Sequence, residues 1–448
     1  MTSNCCAFSC FSSCTRKCKR PSKEDLELSG PMNASSNSRY VTACTTLGEY
    51  ATTSALPSSD PAPSGSSMER NESVEESIEG SKSHWSEVVK SDPSITDDEL
   101  VKDNRAVFRE LQSHPIWGGF FRTFGYALET PVAGMPGYIH VSSGKLIVGE
   151  KFAEGGQAEL FHARVIWYKS KIIKYFLKRG YEWVMKVFKK GTSLRQLQSQ
   201  WPLGYLQFRG ELGSNSIDPK LVRYYCEVFF GILLEDGRFA FLMKREHKDL
   251  RKLIDQRMLE IGQGEGPFSK EDGELIMYKI ACGMNWLHER NIIHRDLKAS
   301  NVLCRVYGNA YQVYVADFEC SIGVIGTGFW RAPEILQAIK DRMIYEKIEV
   351  FSKKADVYAY GMTCYEILTG KFPFGNHSNR DYDIVLNDGQ LELPEYVEDW
   401  IDKIVKRCWN KNPIDRPSFI EILDLFANNS ARVSNHIKKL KIRDDNLK

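Results

Sequence analysis

The spacing of apolar residues divides the chain into zones. Up to about residue 93 there is no periodicity: Ser, Thr, Pro, Gly, Asn and Glu dominate, and after Phe11 the only aromatics are Tyr40, Tyr50 and Trp85. So little apolar surface cannot offset the entropy of ordering the backbone, and residues 1–93 are expected to form a disordered tail. From Ser94 the pattern changes. Thr96-x-x-Glu99 reads as a capping box, and Leu100, Val107, Phe108 and Leu111 recur at helical spacing, predicting an amphipathic helix of about four turns in an N-terminal extension, 94–145. The aromatic, Gly-rich stretch 116–141 fits no element. Beyond it, Leu146-Ile147-Val148, Trp183 to Phe188 and Phe239 to Met243 read as apolar strands, and Leu275 to His288 as a helix.

Composition narrows this picture only slightly. The chain of 448 residues is 42% hydrophobic and 26% charged, as in ordinary globular domains, and lacks an apolar run of transmembrane length or a secretory leader. The net charge of +2 argues neither for nor against nucleic-acid binding, but its distribution is uneven. Residues 1–23 carry five basic residues and no acid, whereas residues 24–92 carry four basic and twelve acidic ones, 4 − 12 = −8. Five of twelve cysteines lie in the first eighteen residues, with Cys6, Cys10, Cys14 and Cys18 at every fourth position among Phe8, Phe11 and basic residues. S-palmitoylation beside a polybasic patch would tether such a terminus to the cytoplasmic face of a membrane; idle thiols and a zinc site are the alternatives. A second basic, aromatic stretch, Trp167 to Tyr181, reads as a lengthened, solvated hairpin that could also touch an anionic membrane.

Candidate chemistry is concentrated in Ile293-His294-Arg295-Asp296-Leu297-Lys298-Ala299-Ser300-Asn301-Val302-Leu303. A carboxylate, an ammonium two positions on and a carboxamide five positions on suit phosphoryl transfer: proton acceptance by Asp296, charge neutralisation by Lys298, metal ligation by Asn301. This stretch resembles the catalytic loop of eukaryotic protein kinases. Val315-Ala316-Asp317-Phe318-Glu319 follows as the resembled metal-binding motif, and Gly326 to Glu334 resembles the close of the activation loop. Asp356-Val357-Tyr358-Ala359-Tyr360-Gly361 and Cys408-Trp409…Arg416-Pro417 complete the series. The wording is most similar to the tyrosine-kinase-like group, which includes receptor-like cytoplasmic and Raf-like kinases, over about residues 146–428, with 429–448 a short basic tail.

The resemblance implies an α+β, bilobal fold with a small β-rich N-lobe and a larger helical C-lobe. It implies ATP and Mg²⁺ as cofactors, a protein substrate and no nucleic acid. Asp296 and Lys298 would be catalytic, and Asn301 and Asp317 would hold metal. Nucleotide would be held by Ala153, Gly155, Gly156, Leu160, Val184, Lys186, Glu211, Met243, Lys244 and Leu303. Lys186 stands in the strand-borne lysine position and Glu211 in that of its helix partner; Leu242 or Met243 guards the adenine pocket. Asp356 would bond the catalytic-loop backbone, and Arg416 would pair with Glu334. Lys298, with Thr327 six residues before Pro333, matches serine/threonine kinases.

Two departures bear on activity. Ala153 and Ala158 occupy the outer positions of the Gly-rich loop, where each Cβ limits approach of backbone N–H groups to phosphates. Glu319 stands where glycine is usual, which hinders a flip of Asp317 and would either lock the loop or misplace that carboxylate; it is expected to pair with Arg295. The short loop Cys320–Arg331 offers chiefly Ser321 and Thr327 as hydroxyls, so control by loop phosphorylation is not expected. An active serine/threonine kinase in intracellular signalling is the reading favoured by the five polar groups; a pseudokinase scaffold or allosteric partner is the alternative.

Overall fold

The computed structural model describes residues 96–445, apart from 123–124, 129–143, 169–181, 213–222, 262–264, 379–380 and the positions 247, 309, 388 and 390. The Cys-rich terminus, most of the basic insertion and residues 218–222 lie outside the described residues, as does the side chain of Glu211.

The upper lobe begins with α1 (Asp97–Ser113). Thr96 and Glu99 form the reciprocal capping box, and Leu100, Val107, Phe108 and Leu111 are its buried stripe. After a 3₁₀ turn (Gly118–Phe120) come β1 (Phe121–Arg122), β2 (Gly125–Leu128), β3 (Gly144–Glu154), β4 (Ala158–Tyr168), β5 (Trp183–Phe188), β6 (Val228–Leu233) and β7 (Phe239–Lys244). They form one sheet in the order β1-β6-β7-β5-β4-β3-β2. Between β5 and β6 lie α2 (Leu194–Gln198) and α3 (Leu203–Leu212).

β5 is the middle strand and is buried on both faces. Its alternation decides which residues face the lobe boundary. Val184 and Phe188 belong to the large inner core with Leu160, Phe241 and Met243, whereas Trp183, Met185 and Val187 join the outer core with Leu242. Of Leu242 and Met243, it is Met243 that lies on the inner face.

The extension is integral to this lobe. β1 adds a parallel edge strand to β6, with Phe121 opposite Gly231, where a Cβ would come within 2.8 Å of the Phe121 ring. Asn104 of α1 is buried; its amide donates to the carbonyls of Thr192 and Gly237 (both 3.0 Å) and its Oδ1 accepts from Leu194 N at 2.7 Å. One side chain thus ties α1 to the entry of α2 and to the β6–β7 turn. Around it Phe108, Phe120, Phe121, Trp201, Phe239 and Phe241 make an edge-to-face and tilted cluster with centroids 5.0–6.4 Å apart.

The lower lobe is helical: α4 (Leu250–Ile261), α5 (Lys270–Glu289), α6 (Pro333–Lys340), α7 (Lys353–Thr369), α8 (Asp383–Leu386), α9 (Asp399–Cys408), α10 (Phe419–Asn429) and α11 (Ala431–Asp445). A small sheet, β8 (Lys248–Asp249), β9 (Val302–Tyr307) and β10 (Ala310–Val315), lies on it in the order β10-β9-β8. Residues 431–445, read from their polarity as a tail, instead form α11. Val433 is fully buried with Ile437 one turn on, and Ser430 accepts from Val433 N (3.1 Å) while donating to Glu274 of α5.

Two close contacts set the catalytic segment. Gly283 of α5 lies under residue 224, where a Cβ would stand 2.3 Å from the Tyr224 carbonyl oxygen. That approach lets Tyr224 and Cys226 bracket Val315 by backbone bonds of 2.8 and 2.6 Å, fixing the end of β10.

Candidate active site

The loop between α5 and β9 is held from below by α7. Asp356, 1% exposed, accepts from the backbone N–H groups of His294 (2.8 Å) and Arg295 (2.9 Å) and pairs with His288 at 2.9 Å. His294 reaches the Ala316 carbonyl at 2.8 Å, so the catalytic loop and the metal-binding segment are tied together. Arg295 and Asp317 both adopt φ of 67°, a left-handed conformation uncommon outside glycine that persists where surrounding contacts over-determine it.

Asp296, Lys298 and Thr327 form a closed polar group. Thr327 Oγ1 donates to Asp296 Oδ1 (2.7 Å) and accepts from Lys298 Nζ (2.7 Å), while Lys298 stands 3.1 Å from Asp296 Oδ2. Asn301 donates to the Asp296 carbonyl at 2.7 Å and to Asp296 Oδ2 at 3.1 Å. Its Oδ1 is buried without a hydrogen-bond partner. A buried acceptor of that kind costs free energy unless something occupies it, and an amide oxygen beside Asp317 is the hard-oxygen donor set that suits Mg²⁺. The residues present therefore fit the metal the resemblance implies.

Lys186 meets this group from above. It is buried on β5, 2.5 Å from Asp317 Oδ1 and 2.8 Å from Glu319 Oε1. One expectation about Glu319 is corrected here. It does not pair with Arg295, whose guanidinium lies over the Phe351 ring at 4.6 Å and whose pKa burial lowers. The left-handed turn of this segment falls on Asp317. Phe318 is fully buried edge-to-face on Tyr205 of α3 (5.3 Å) and near Tyr225 (6.3 Å), which keeps Asp317 turned toward Lys186.

Leu160, Val184, Met243 and Leu303 come together in the inner core beneath the sheet, in the apolar setting a base would need. Gly155 and Gly156 form the tip of the β3–β4 hairpin, closed by Gly155 N to Ala158 O at 2.8 Å, with Ala153 paired to Leu160 across it. Lys244 sends its ammonium to Glu246 (3.2 Å) and over the Tyr314 ring, and it stands opposite Trp183 at the end of β7. Glu211 stands in the last turn of α3.

The activation segment is anchored at both ends. Ile322 N bonds the Gln200 carbonyl at 3.1 Å, Trp330 Nε1 donates to buried Glu366 at 2.9 Å, and Arg416 clamps Glu334 with two bonds of 2.7 and 2.8 Å as its sequence position implied. Sequence reading missed the Lys186–Glu319 pair and the Arg295–Phe351 stack. Neither left a local signal, since Glu319 lies 133 positions from Lys186 and Phe351 lies far along the chain from Arg295.

Comparison with known proteins agrees with this geometry. Residues 219–426 match the family model of the protein tyrosine and serine/threonine kinase. The chain carries a protein kinase domain. It is 39% identical over 166 residues to a probable serine/threonine-protein kinase of Dictyostelium discoideum, covering 34% of this chain and 12% of that protein. It is 35% identical over 164 residues to serine/threonine-protein kinase CTR1 of Arabidopsis thaliana, covering 33% and 18%. It is 29% identical over 261 residues to dual specificity protein kinase shkD of Dictyostelium discoideum, covering 55% and 31%. The matches thus span less than a third of each of these relatives.

Proposed function

We propose that the protein is a serine/threonine kinase that transfers the γ-phosphoryl group of ATP to hydroxyls of protein substrates in intracellular signalling. The observation that carries this reading is the closed Asp296–Thr327–Lys298 group. It places a fixed carboxylate, a charge-neutralising ammonium and a threonine side by side, so that an acceptor hydroxyl on a short arm meets its base and its charge partner together.

Asp296 orients the substrate hydroxyl and takes its proton as the oxygen attacks. Lys298 and Lys186 neutralise phosphoryl oxygens. Asn301 and Asp317 would hold Mg²⁺, which supplies charge neutralisation between the nucleotide phosphates. The inner-core face of Leu160, Val184, Met243 and Leu303 would take the base, and the β3–β4 hairpin tip would cover the phosphates. A pseudokinase scaffold is the alternative; the presence of Lys186, Asp296, Lys298, Asn301 and Asp317 favours the enzyme over it.

A tether through acylated N-terminal cysteines at the cytoplasmic face of a membrane belongs to the same proposal and rests on cysteine spacing and the basic patch. Among the described residues no helix is long and apolar enough to cross a membrane.

Phosphoamino-acid analysis of a mixed peptide substrate tests the specificity: phosphoserine and phosphothreonine are expected. Phosphotyrosine as the main product would contradict the serine/threonine reading. Thr327→Val should lower kcat at least tenfold, and Thr327→Ser should restore most of it.

A further inference from the structure

We infer that Glu319 is a positioning residue: a counter-ion for Lys186 carried by the metal-binding segment itself. The inference rests on the kinase reading above and adds a residue to its machinery. Glu319 is 4% exposed, its Oε1 lies 2.8 Å from Lys186 Nζ, and it stands two residues from Asp317, which meets the same ammonium. A carboxylate this deeply buried persists as a charge only when paired, and Lys186 supplies the pair.

Neighbouring elements favour this assignment. Among the described side chains of α3, Tyr205 faces Phe318, and one turn before it stands Trp201, packed among Phe121, Phe239 and Phe241. At Phe318 the helical side of the site is therefore aromatic. Phe318 anchors the segment to that aromatic side and Glu319 anchors it to β5, so Lys186, Asp317 and Phe318 are set as one body.

Among the described residues Lys186 faces the carboxylates of Asp317 and Glu319. When Asp317 turns to a metal, Glu319 keeps the ammonium in place for the phosphates. Glycine at 319 could not do this. The substitution that looks like a defect in the motif is in this structure a second holder of its lysine.

The test uses the full chain, with Glu319→Gln, Glu319→Asp, Glu319→Gly and Glu211→Gln variants. ATP binding is measured with and without Mg²⁺, alongside phosphotransfer and the melting temperature without nucleotide. Glu319→Gln and Glu319→Gly should weaken ATP binding at least tenfold in both conditions and raise KM for ATP, while KM for the protein substrate stays within twofold. Glu319→Asp should recover part of the loss, and Glu211→Gln should lose less than Glu319→Gln. Unchanged ATP affinity in Glu319→Gln and Glu319→Gly would overturn the inference, as would an equal or larger loss in Glu211→Gln. An equal rise in both KM values with a collapsed melting temperature would also overturn it, since that marks a merely structural role. If the wild type binds ATP but transfers no phosphate, the enzyme reading falls while the binding series still decides the role of Glu319. A wild type that binds no ATP removes both.

Discussion

The two lobes differ in how closely they keep to the motif series. In the lower lobe Asp296, Lys298, Asn301, Asp356, Glu334 and Arg416 are each held by two or more bonds to backbone or partner. In the upper lobe one lysine carries the polar chemistry, and around it an added helix, an added edge strand and a cluster of phenylalanines and a tryptophan make the scaffold. Transfer chemistry demands fixed positions for a base, a cation and metal ligands, and so restricts residue type at each. A lobe that must only hold a lysine and cover a nucleotide can be rebuilt from apolar packing, which many residue combinations satisfy.

The sharpest way to test this contrast is to remove lower-lobe chemistry without disturbing packing. Asp296→Asn keeps the shape and the Asn301 contact, so phosphotransfer should fall about 10²–10⁴-fold while the melting temperature stays within a few degrees. Large unfolding instead would mean that Asp296 is structural. Next in size is the buried clamp. Arg416→Met leaves Glu334, whose side chain is 19% exposed, without its partner and should cost about 3 kcal/mol in chemical denaturation, because a partly buried carboxylate loses two charge-assisted hydrogen bonds. A cost below about 1 kcal/mol would show the pair to be solvated.

On the upper side, Asn104→Ala strips the bonds between α1, the entry of α2 and the β6–β7 turn. A loss of about 2 kcal/mol is expected, with faster amide exchange in both α1 and Leu194–Leu197. Exchange that quickens in α1 alone would say that the extension is appended and not part of the lobe. The smallest effect concerns regulation. Ser321 is 1% exposed, Thr327 is held between Asp296 and Lys298, and Arg295 is stacked on Phe351. Phosphatase treatment should therefore leave activity within about twofold; a loss of tenfold or more would mean the loop needs a phosphate that Phe351 does not replace.

Legibility in the sequence follows the same division. The lower-lobe site could be read because its residues are close in the chain or bear types that few other roles demand, as with an Arg–Glu clamp spanning 82 positions. The helix α1 was legible from its cap and stripe, but its docking was not, since Asn104 looks like any surface amide until Thr192 and Gly237 are brought to it. Glu319 misled for the opposite reason. Read as a replacement for glycine it suggested only a hindered flip of Asp317, whereas its partner, 133 positions away on β5, gives it a role that no local rule contains. The polar 431–445 stretch hid a helix because two apolar residues, Val433 and Ile437, are enough to seat it on α5.

The most direct measurement is transfer of labelled γ-phosphate from ATP with Mg²⁺ to a generic serine/threonine substrate by the full chain, run beside Asp296→Ala and Asp317→Ala. Transfer by the wild type that disappears in both variants is the predicted result. No transfer by a wild-type protein whose melting temperature rises with ATP would contradict the account and leave a nucleotide-binding scaffold in its place.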